Sequence, residues 1–391
     1  MNPKTFCIVP WTHVRLEPTG TILPCCKIDR AQVPDFNINT LDNFDQYWNS
    51  EYLKNLRRDL GSGVRPEQCN TCWRDEDAKK PSRRQETNVH LVKHVNTREI
   101  LKSQDWTSNN LPISWDMNLS NICNFKCVMC FPELSSQIQT ERKKHPDKFL
   151  TIKSSNLNFD GTWPEKSLFQ DLIKRAGPNT KILALKGGEP LLVKNVMEMI
   201  QGVENKQNAT LMLNTNGSVE MTPAFVEEIA KFEKNWIFVS VDGIGDEGEY
   251  VRHGSTWNKV ENNIHKFSQI KNNTFKLCVV LQFFSPLTFP NIFDFAKKHN
   301  YDVELLYCSS PNYLSINAIL PDHMEKFKIW AMKTAEENPT IKYLNILNGF
   351  LSQYTFDPKL HHQCQTYIDD LDSIRNNRLE SIQKLFQPVD S

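Results

Sequence analysis

The sequence lacks any surplus of charge of one sign. Its 391 residues include 46 lysines and arginines against 46 aspartates and glutamates, so the formal net charge is zero. The longest uninterrupted basic run is Arg142-Lys143-Lys144. Nucleic acids and anionic membrane surfaces attract an excess of cations, which this chain does not have. We therefore expect neither of them as a partner.

Long apolar segments are also missing. No run approaches the roughly 20 apolar residues that a membrane-spanning helix needs. The opening residues Met1–Cys7 contain no signal-peptide core. Hydrophobic residues nevertheless make up 39% of the chain, which is typical of a globular protein with more than one core. We expect a cytoplasmic globular protein.

A disulfide framework is not expected, although cysteine itself is abundant. The eleven cysteines are too dispersed for a small disulfide-bonded scaffold. Their spacing favours reduced thiols that bind metal in a reducing cytosol. Cys278 and Cys308 differ from the rest because each lies in an apolar run, and we expect both to be buried as small hydrophobic residues.

Three cysteines, Cys123, Cys127 and Cys130, stand in a C-x-x-x-C-x-x-C spacing. A loop of that length can wrap three thiolates around one face of a 4Fe-4S cube and leave the fourth iron open to a small-molecule ligand. The alternative is zinc, but a closed structural zinc site takes four ligands and the next histidine along the chain is His145. The triplet therefore favours an iron-sulfur cluster with an open iron.

Residues 1–75 are predicted to form a compact cysteine-rich module. His13–Glu17 and Thr21–Cys26 flank a Pro-Thr-Gly turn and read as a hairpin. Adjacent strand residues point to opposite faces, so only one of Cys25 and Cys26 is expected to reach the site. Spacing alone leaves structural zinc and an iron-sulfur cluster equally open. The candidate ligands are Cys7, one of Cys25 and Cys26, and the pair Cys69 and Cys72.

Beyond a polar linker or bridging helix at residues 76–110, strand and helix patterns alternate through residues 111–310. This alternation predicts an α/β fold with a parallel sheet, in the form of a partial (β/α)6 TIM-like barrel. Residues 311–391 are predicted to be a C-terminal helical segment. The predicted strands are Ile113–Leu119, Ile182–Leu185, Thr210–Leu213, Trp236–Val241, Phe275–Phe283 and Val303–Tyr307.

Polar motifs follow several of these strands, where the loops of a parallel barrel carry the chemistry. Lys186-Gly-Gly-Glu-Pro190 follows the second strand, and its glycines would let a ligand approach the backbone closely. The ordinary alternative is a turn before a helix. Ser240 ends the fourth strand, and Arg252 follows it twelve residues later. Each motif is a weak signal, but their order along one barrel is more specific.

The cysteine triplet, followed one strand later by Gly-Gly-Glu-Pro, resembles the radical S-adenosylmethionine (SAM) superfamily. In that family SAM chelates the open iron, and one electron from the cluster cleaves a carbon-sulfur bond to give a 5'-deoxyadenosyl radical. The resemblance implies an enzyme that abstracts hydrogen from a substrate with this radical. No residue stands out as a further catalytic group. The implied SAM-binding residues are Met129, Gly187, Gly188, Glu189, Ser240 and Arg252.

The N-terminal cysteine pattern resembles the twitch or SPASM module, which carries an auxiliary 4Fe-4S cluster. The resemblance implies Cys7, Cys25, Cys69 and Cys72 as the ligands of that cluster. Such modules usually follow the radical SAM core, whereas Cys7 to Cys72 precede it here. Relatives with such modules often modify ribosomally made peptides, which implies a peptide substrate, with small molecules left open. The resemblance also implies an external reductant such as flavodoxin or ferredoxin. The alternatives are an iron-sulfur electron-transfer or binding protein without SAM chemistry, and a zinc-stabilised scaffold.

The run Tyr367–Arg375 is similar to a C-terminal segment of twitch proteins, where a helix closes the open barrel. We expect its charged residues to form a solvated helix face. His361, His362 and Cys364 are expected to be ordinary surface or core residues, with Cys364 in reserve as a ligand of the N-terminal site.

Overall fold

The computed structural model describes residues 4–102, 105–149, 157, 172–175 and 177–389. The chain divides into two compact units. Unit 1 comprises residues 1–122, 159–213 and 221–235, and unit 2 comprises residues 123–158, 214–220 and 236–391.

Unit 1 is built on a mainly parallel sheet in the order β6-β5-β3-β1-β2. The hairpin strands β1 and β2 are antiparallel, while β1, β3, β5 and β6 pair in parallel. The pairing of β1 with β3 joins the N-terminal hairpin directly to the strand that precedes the cysteine triplet. The strands are β1 (His13–Leu16), β2 (Ile22–Leu23), β3 (Ser114–Asn118), β5 (Ile182–Lys186) and β6 (Thr210–Thr215).

Short helices cover this sheet. The apolar residues between 44 and 60 lie on two helices, because Ser50 caps the second one by accepting a hydrogen bond from the Leu53 amide. Trp115 of β3 is buried and packs against Phe44, which ties the N-terminal helices to the sheet. The helices are α1 (Val9–Thr12), α2 (Asp45–Trp48), α3 (Glu51–Gly61), α4 (Asn70–Asp77), α5 (Arg83–Leu91), α6 (Thr97–Ile100), α8 (Val196–Gly202) and α9 (Pro223–Ile229).

Unit 2 contains three neighbouring strands in the order β10-β9-β7, with β9 and β10 parallel. A separate antiparallel pair, β4 with β8, lies at the cysteine triplet and was not predicted. Each of these two strands has only two residues, too few for an alternating pattern to reveal. The strands are β4 (Lys126–Cys127), β7 (Lys234–Ser240), β8 (Arg252–His253), β9 (Asn273–Leu281) and β10 (Asp302–Tyr307).

Helices alternate with these strands and then form the C-terminal segment. The longest, α15, begins after Asp357, whose side chain accepts hydrogen bonds from the first-turn amides, and ends at the left-handed Asn376. The helices are α7 (Ser136–Lys144), α10 (Gly245–Val251), α11 (Trp257–Ser268), α12 (Ser285–His299), α13 (Pro321–Glu337), α14 (Lys342–Leu351), α15 (Pro358–Arg375) and α16 (Glu380–Gln383).

The α/β class predicted from the alternating patterns is confirmed, and each of the predicted barrel strands is present within two residues of its expected ends. Cys278 and Cys308 are buried, as their apolar surroundings predicted. In the part of the chain that the structure describes, no helix has the length and apolar character that crossing a membrane requires.

Candidate functional site

The loop that carries the cysteine triplet begins unit 2. Cys123 and Cys127 are buried and Cys130 is half-buried, and none of them forms a disulfide. Cys127 lies in β4, opposite Arg252 of β8, and the Cys130 amide closes a turn on the Cys127 carbonyl at 3.1 Å. A two-residue strand followed by a turn thus gathers the thiols at one end of a short ribbon.

Two side chains that donate hydrogen bonds reach the sulfur atoms of this loop. Asn216 Nδ2 lies 3.8 Å from Cys123 Sγ, and an Arg252 guanidinium nitrogen lies 3.7 Å from Cys127 Sγ. Burial raises the pKa of the Cys130 thiol, and the neighbouring Cys127 and Cys123 raise it further. The thiols therefore lie close enough to repel each other as anions, and a cation that binds all three would relieve this repulsion.

Asn216 was not assigned a role from the sequence. It is the first residue after β6, and its Nδ2 also donates to Asn124 Oδ1 at 3.0 Å, within the cysteine loop. Asn124 in turn donates to Ser218 Oγ at 2.9 Å. Asn216 and Gly217 form an Asn-Gly sequence that is common in turns, and here its asparagine supports the cysteine loop.

The C-terminal helix α15 holds the same loop from another direction. Tyr367 donates a hydrogen bond to the carbonyl of Val128 at 2.8 Å, between two of the cysteines. Arg375 forms two hydrogen bonds to Glu141 of α7, which also pairs with Lys126 of β4 at 2.8 Å. The Arg375 side chain is only 4% exposed. The prediction that the charged residues of this helix are solvated is therefore wrong for Arg375. This side chain is buried in an ion pair with Glu141, which lies more than 200 positions away in the sequence.

Besides its contact with Cys127, Arg252 forms an ion pair with an acidic side chain. Its guanidinium contacts the buried carboxylate of Asp242 at 2.6 Å, and Asp242 also accepts from the Val280 amide at 2.7 Å. Arg252 Nε is buried with no hydrogen-bond partner among the described residues. Asp242 follows Ser240, the half-buried last residue of β7, and Met129 is half-buried in the cysteine loop. Arg252 thus retains one unsatisfied donor, which a bound carboxylate could accept.

The Gly-Gly-Glu motif belongs to unit 1, where it follows β5. Gly187 and Gly188 both have positive φ, at 80° and 47°. A Cβ on Gly188 would lie 2.3 Å from the Ile122 carbonyl oxygen, and the Glu189 amide donates to that same oxygen at 2.8 Å. The Glu189 carboxylate is fully buried and accepts from the Leu191 amide at 3.1 Å. Only glycine fits this close approach to the residue before Cys123.

The N-terminal cysteines come together within unit 1. Cys7, Cys25, Cys69 and Cys72 line one cavity. Cys26 is exposed and is not among the residues that line it. Burial raises the pKa of the Cys7 and Cys25 thiols to about 12, and for Cys7 the neighbouring Cys25 and Cys72 add to this. The predicted strand Thr21–Cys26 is shorter in the structure: β2 ends at Leu23, so Cys25 and Cys26 lie beyond it, and the alternation of strand residues is not what separates their environments.

A positively charged side chain, that of Arg84, lies next to the N-terminal cysteines. Arg84 of α5 pairs with Glu76, lies over the Trp73 ring at 5.0 Å and donates to the Phe6 carbonyl, and it also lines the cavity. Its charge lowers the pKa of the Cys7 thiol, although less than burial raises it. A positive group fixed beside four thiols favours a bound cluster that carries net negative charge.

The spacing of the sulfurs tests which metal group fits each set. Among the residues that the structure describes, neither cysteine set has three sulfurs within 4.8 Å of one another. One zinc ion, with bonds of about 2.3 Å, would bring its thiolates closer than that. A cube with an iron at each corner spaces its thiolates more widely. Both donor sets consist of cysteine thiolates only, which are the ligands that iron-sulfur clusters take.

A buried charge network that sequence reasoning missed connects β1, β3 and β5 of unit 1. Arg15 lies opposite Asp116 in the parallel register and contacts its carboxylate at 2.8 Å, while Lys186 contacts it at 3.2 Å. Glu17 bridges Arg15 to Arg30. Burial opposes the ionisation of Asp116, but Lys186 and Arg15 outweigh it and hold the pKa of the carboxyl below its usual value. Lys186 directly precedes the glycine pair.

A cavity of about 690 Å³ lies within unit 2, next to the end of the cysteine loop. Its size is that of a site for a small organic molecule. The lining mixes aromatic, hydroxyl, amide and charged side chains and follows the C-terminal end of β10 and the start of α15. The lining residues are Phe131, Ser309, Ser310, Pro311, Asn312, Tyr313, Asp357, Lys359, Leu360 and Gln363.

Two family models match the chain. The radical SAM superfamily model matches residues 117–296, which contain both the cysteine triplet and the Gly-Gly-Glu motif. The model of the SPASM iron-sulfur cluster-binding domain matches residues 7–73, which contain the N-terminal cysteine set. The matched ranges confirm the resemblance expected from the motifs, including the N-terminal position of the auxiliary module.

Curated relatives are distant. A probable GTP 3',8-cyclase of Methanococcus vannielii is 25% identical over 153 residues, which are 39% of this chain and 44% of that protein. An S-adenosylmethionine-dependent nucleotide dehydratase of Lacinutrix mariniflava is 29% identical over 134 residues, 34% of this chain and 24% of that protein. The chain thus spans less than half the length of these relatives.

Solved structures give similarly distant likenesses. One is SuiB of Streptococcus suis bound to S-adenosylmethionine, with a TM-score of 0.40, 14% identity and coverage of 86% of this chain and 70% of that one. Another is anSMEcpe with bound AdoMet, with a TM-score of 0.39, 20% identity and coverage of 56% and 60%.

Proposed function

Because this chain belongs to the radical SAM superfamily and carries a SPASM-type iron-sulfur domain ahead of its core, we propose that it is an enzyme that cleaves S-adenosylmethionine reductively and abstracts hydrogen from a bound substrate. When bound, a 4Fe-4S cluster supplies the electron that cleaves the carbon-sulfur bond of SAM to give a 5'-deoxyadenosyl radical. The observation that carries the proposal is the loop of Cys123, Cys127 and Cys130, in which two thiols are buried and the third is half-buried, and which the β4–β8 pair and the turn from Cys127 to Cys130 bring together.

The residues of the cysteine loop have separate tasks in this proposal. The three thiols would hold the cluster, and Asn216 and Arg252 donate toward two of the sulfurs, which stabilises their negative charge. Hydrogen bonds to cluster sulfurs also raise the reduction potential. Tyr367 and Glu141 fix the loop so that these donors stay aligned. The chain thereby orients and tunes the cluster.

The SAM-binding roles are proposed residue by residue. Gly187, Gly188 and Glu189 would bind the ammonium group, Ser240 the ribose and Arg252 the carboxylate of SAM. The positive φ of both glycines and the buried Glu189 carboxylate suit a close approach to backbone. The unsatisfied Nε of Arg252 suits a carboxylate. Met129 would pack against the adenine through its polarizable thioether.

The N-terminal set Cys7, Cys25, Cys69 and Cys72 would hold a second, auxiliary 4Fe-4S cluster. Four thiols in one cavity leave no open iron position, so this cluster suits electron relay or structural support rather than cleavage of SAM. The neighbouring Arg84 would offset part of its negative charge. Electrons would come from an external reductant of the flavodoxin or ferredoxin type.

For the substrate we propose a peptide segment or a polar small molecule bound in the 690 Å³ cavity beside Phe131. Phe131 directly follows Cys130, so the cavity borders the cluster loop. Ser309, Asn312 and Gln363 offer hydrogen bonds suited to a peptide backbone or to polar groups, and Tyr313 offers an aromatic face.

The test is anaerobic reconstitution with iron and sulfide, followed by dithionite and SAM. We expect release of 5'-deoxyadenosine, measured by chromatography and mass spectrometry. The matched control is the variant in which Cys123, Cys127 and Cys130 are all alanine, which retains the N-terminal thiols and should release none. A cluster-loaded wild type that releases none, and whose EPR signal does not change on SAM addition, would instead indicate an electron-transfer protein.

A further inference from the structure

A cluster of metal-binding side chains lies on the helices of unit 2, away from every cysteine ligand discussed above. Glu261 and His265 stand four residues apart on one face of α11, and His299 is the last residue of α12. One ligand atom from each of the three lies within 4.8 Å of the others. Among the described residues, no other group of acidic, histidine or cysteine side chains is gathered as tightly.

His265 is held in the orientation that a metal ligand needs. Its Nδ1 shares a hydrogen bond of 2.7 Å with the hydroxyl of Tyr301. The left-handed Asn300, with φ at 55°, reverses the chain after α12 and brings Tyr301 back onto α11. An imidazole anchored through Nδ1 presents Nε2 to the other ligands, and this is the usual arrangement of metal-bound histidine.

His299 supplies an unsatisfied nitrogen. Its Nε2 is inaccessible to solvent and has no hydrogen-bond partner among the described residues. Aromatic rings surround the imidazole, with Phe295 at 4.9 Å and Tyr301 at 5.6 Å between ring centroids, and His265 at 4.7 Å. A buried imidazole nitrogen without a hydrogen-bond partner is available to bind a transition metal.

The alternative to a metal site is a simple ion pair between Glu261 and His265, and its distance is at the outer limit for such a pair. His265 Nε2 and the Glu261 carboxylate are 3.9 Å apart, which is too long for a hydrogen bond. Two ligands of one tetrahedral zinc ion, each at about 2.1 Å, stand about 3.4 Å apart. A small side-chain rotation would close this difference. Ring packing brings His265 and His299 together, and the helical spacing of four residues adds the Glu261 carboxylate, so that the three groups offer a mixed imidazole and carboxylate ligand set.

We propose that Glu261, His265 and His299 form a binding site for a divalent transition metal of the zinc class. Two imidazole nitrogens and one carboxylate oxygen supply three of the four positions of a tetrahedral ion, and water takes the fourth. The metal would join α11 to the end of α12. It would stabilise the fold of unit 2 without taking part in the cysteine chemistry.

The test uses protein whose cysteines are already loaded with iron-sulfur clusters, so that they do not compete for the probe. Zn²⁺ is titrated anaerobically by isothermal titration calorimetry and total zinc is measured after desalting. We expect one zinc per chain, and a higher melting temperature with zinc than without. The H265Q and H299Q variants should each lose this zinc and the zinc-dependent rise in melting temperature.

Two milder variants keep the test decisive if those fail to fold. Tyr301→Phe retains every ligand but frees His265 Nδ1, so we expect zinc affinity to fall by roughly 10-fold to 100-fold. Glu261→Gln keeps both imidazoles and should weaken binding as well. His90→Gln, on the unrelated helix α5, is the matched control and should bind zinc as wild type does. Absence of saturable binding, or equal binding by H299Q and wild type, would overturn the site.

Discussion

At the scale of single residues, the structure gives physical reasons why particular cysteines and glycines of the motifs stand at their positions. Cys25 lines the N-terminal cavity and Cys26 is exposed, although they are neighbours in the chain. Glycine is required at position 188 because a Cβ there would lie 2.3 Å from the Ile122 carbonyl oxygen. The role of each of these residues therefore depends on the immediate surroundings of its side chain or Cα.

Gly188→Ala should abolish release of 5'-deoxyadenosine. The new Cβ would meet the Ile122 carbonyl oxygen, and φ at 47° is itself unfavourable for alanine, at a cost of roughly 1–3 kcal/mol. Displacing Ile122 would disturb the start of the cysteine loop. Gly349→Ala is the matched control, because it lies in α14 with open space around it, and we expect normal activity and equal or higher stability.

Cys25→Ala should lower the iron content of reconstituted protein from about eight to about four atoms per chain, the difference of one 4Fe-4S cluster. Cys26→Ala should leave it unchanged, because the Cys26 thiol lies outside the cavity. Iron and sulfide analysis with EPR measures both. The reverse pattern would make Cys26 the ligand.

At the scale of secondary structure elements, α15 and β1 make contacts that their own sequences do not predict. Helix α15 anchors the cysteine loop through Tyr367 and Arg375. Strand β1 pairs with β3 and places Arg15 against Asp116. Both are contacts between residues about 100 or more positions apart, so neither leaves a local pattern.

Arg375→Met should destabilise the protein by roughly 3–5 kcal/mol, because it leaves the buried Glu141 carboxylate with Lys126 alone. Arg378→Met, which removes a charge from an exposed hydrogen bond three residues later, should have little effect. Chemical denaturation of cluster-free protein at pH 7 measures the difference. Equal stabilities of the two variants would mean that α15 does not hold the loop.

The same pair should make stability depend on pH. Burial would raise the pKa of Glu141, but the hydrogen bonds and charge of Arg375, with those of Lys126, lower it below its usual value. A carboxyl with a depressed pKa in the folded state contributes stability above its unfolded pKa of about 4.3, and this contribution is lost as the pH falls through the folded pKa. The deficit of Arg375→Met should therefore shrink at acid pH, as denaturation across pH 3–7 would measure.

At the scale of the whole molecule, the auxiliary module and the first barrel strand share one sheet in unit 1. Because β1 pairs with β3 and Phe44 packs on Trp115, residues 1–75 are expected to fold together with the core rather than as a detachable domain. The predicted boundary at residue 75 would then mark the end of the cysteine motifs and not the end of an independently folding unit.

A chain that begins at residue 76 should be insoluble or only partly folded, since removal of β1 exposes the edge of β3 and the Trp115 side chain. The matched control is the C69A/C72A double variant, which removes two cluster ligands but keeps β1, and it should remain soluble. Solubility and circular dichroism distinguish the two. A truncated chain that melts cooperatively at the wild-type temperature would contradict a shared fold.

Short-range spacing by itself determined much of this protein. The cysteine triplet, the Cys69–Cys72 pair, the glycine pair and the strand-helix alternation are all encoded within a few residues, because ligand geometry and hydrophobic periodicity act locally. Only the tertiary structure decided that β1 lies beside β3, that Arg375 reaches Glu141, that Arg252 stands opposite Cys127, and that Glu261, His265 and His299 converge. These contacts depend on strand register and on how helices pack. Both are set by the burial of segments that are distant in sequence, so neighbouring residues do not predict them.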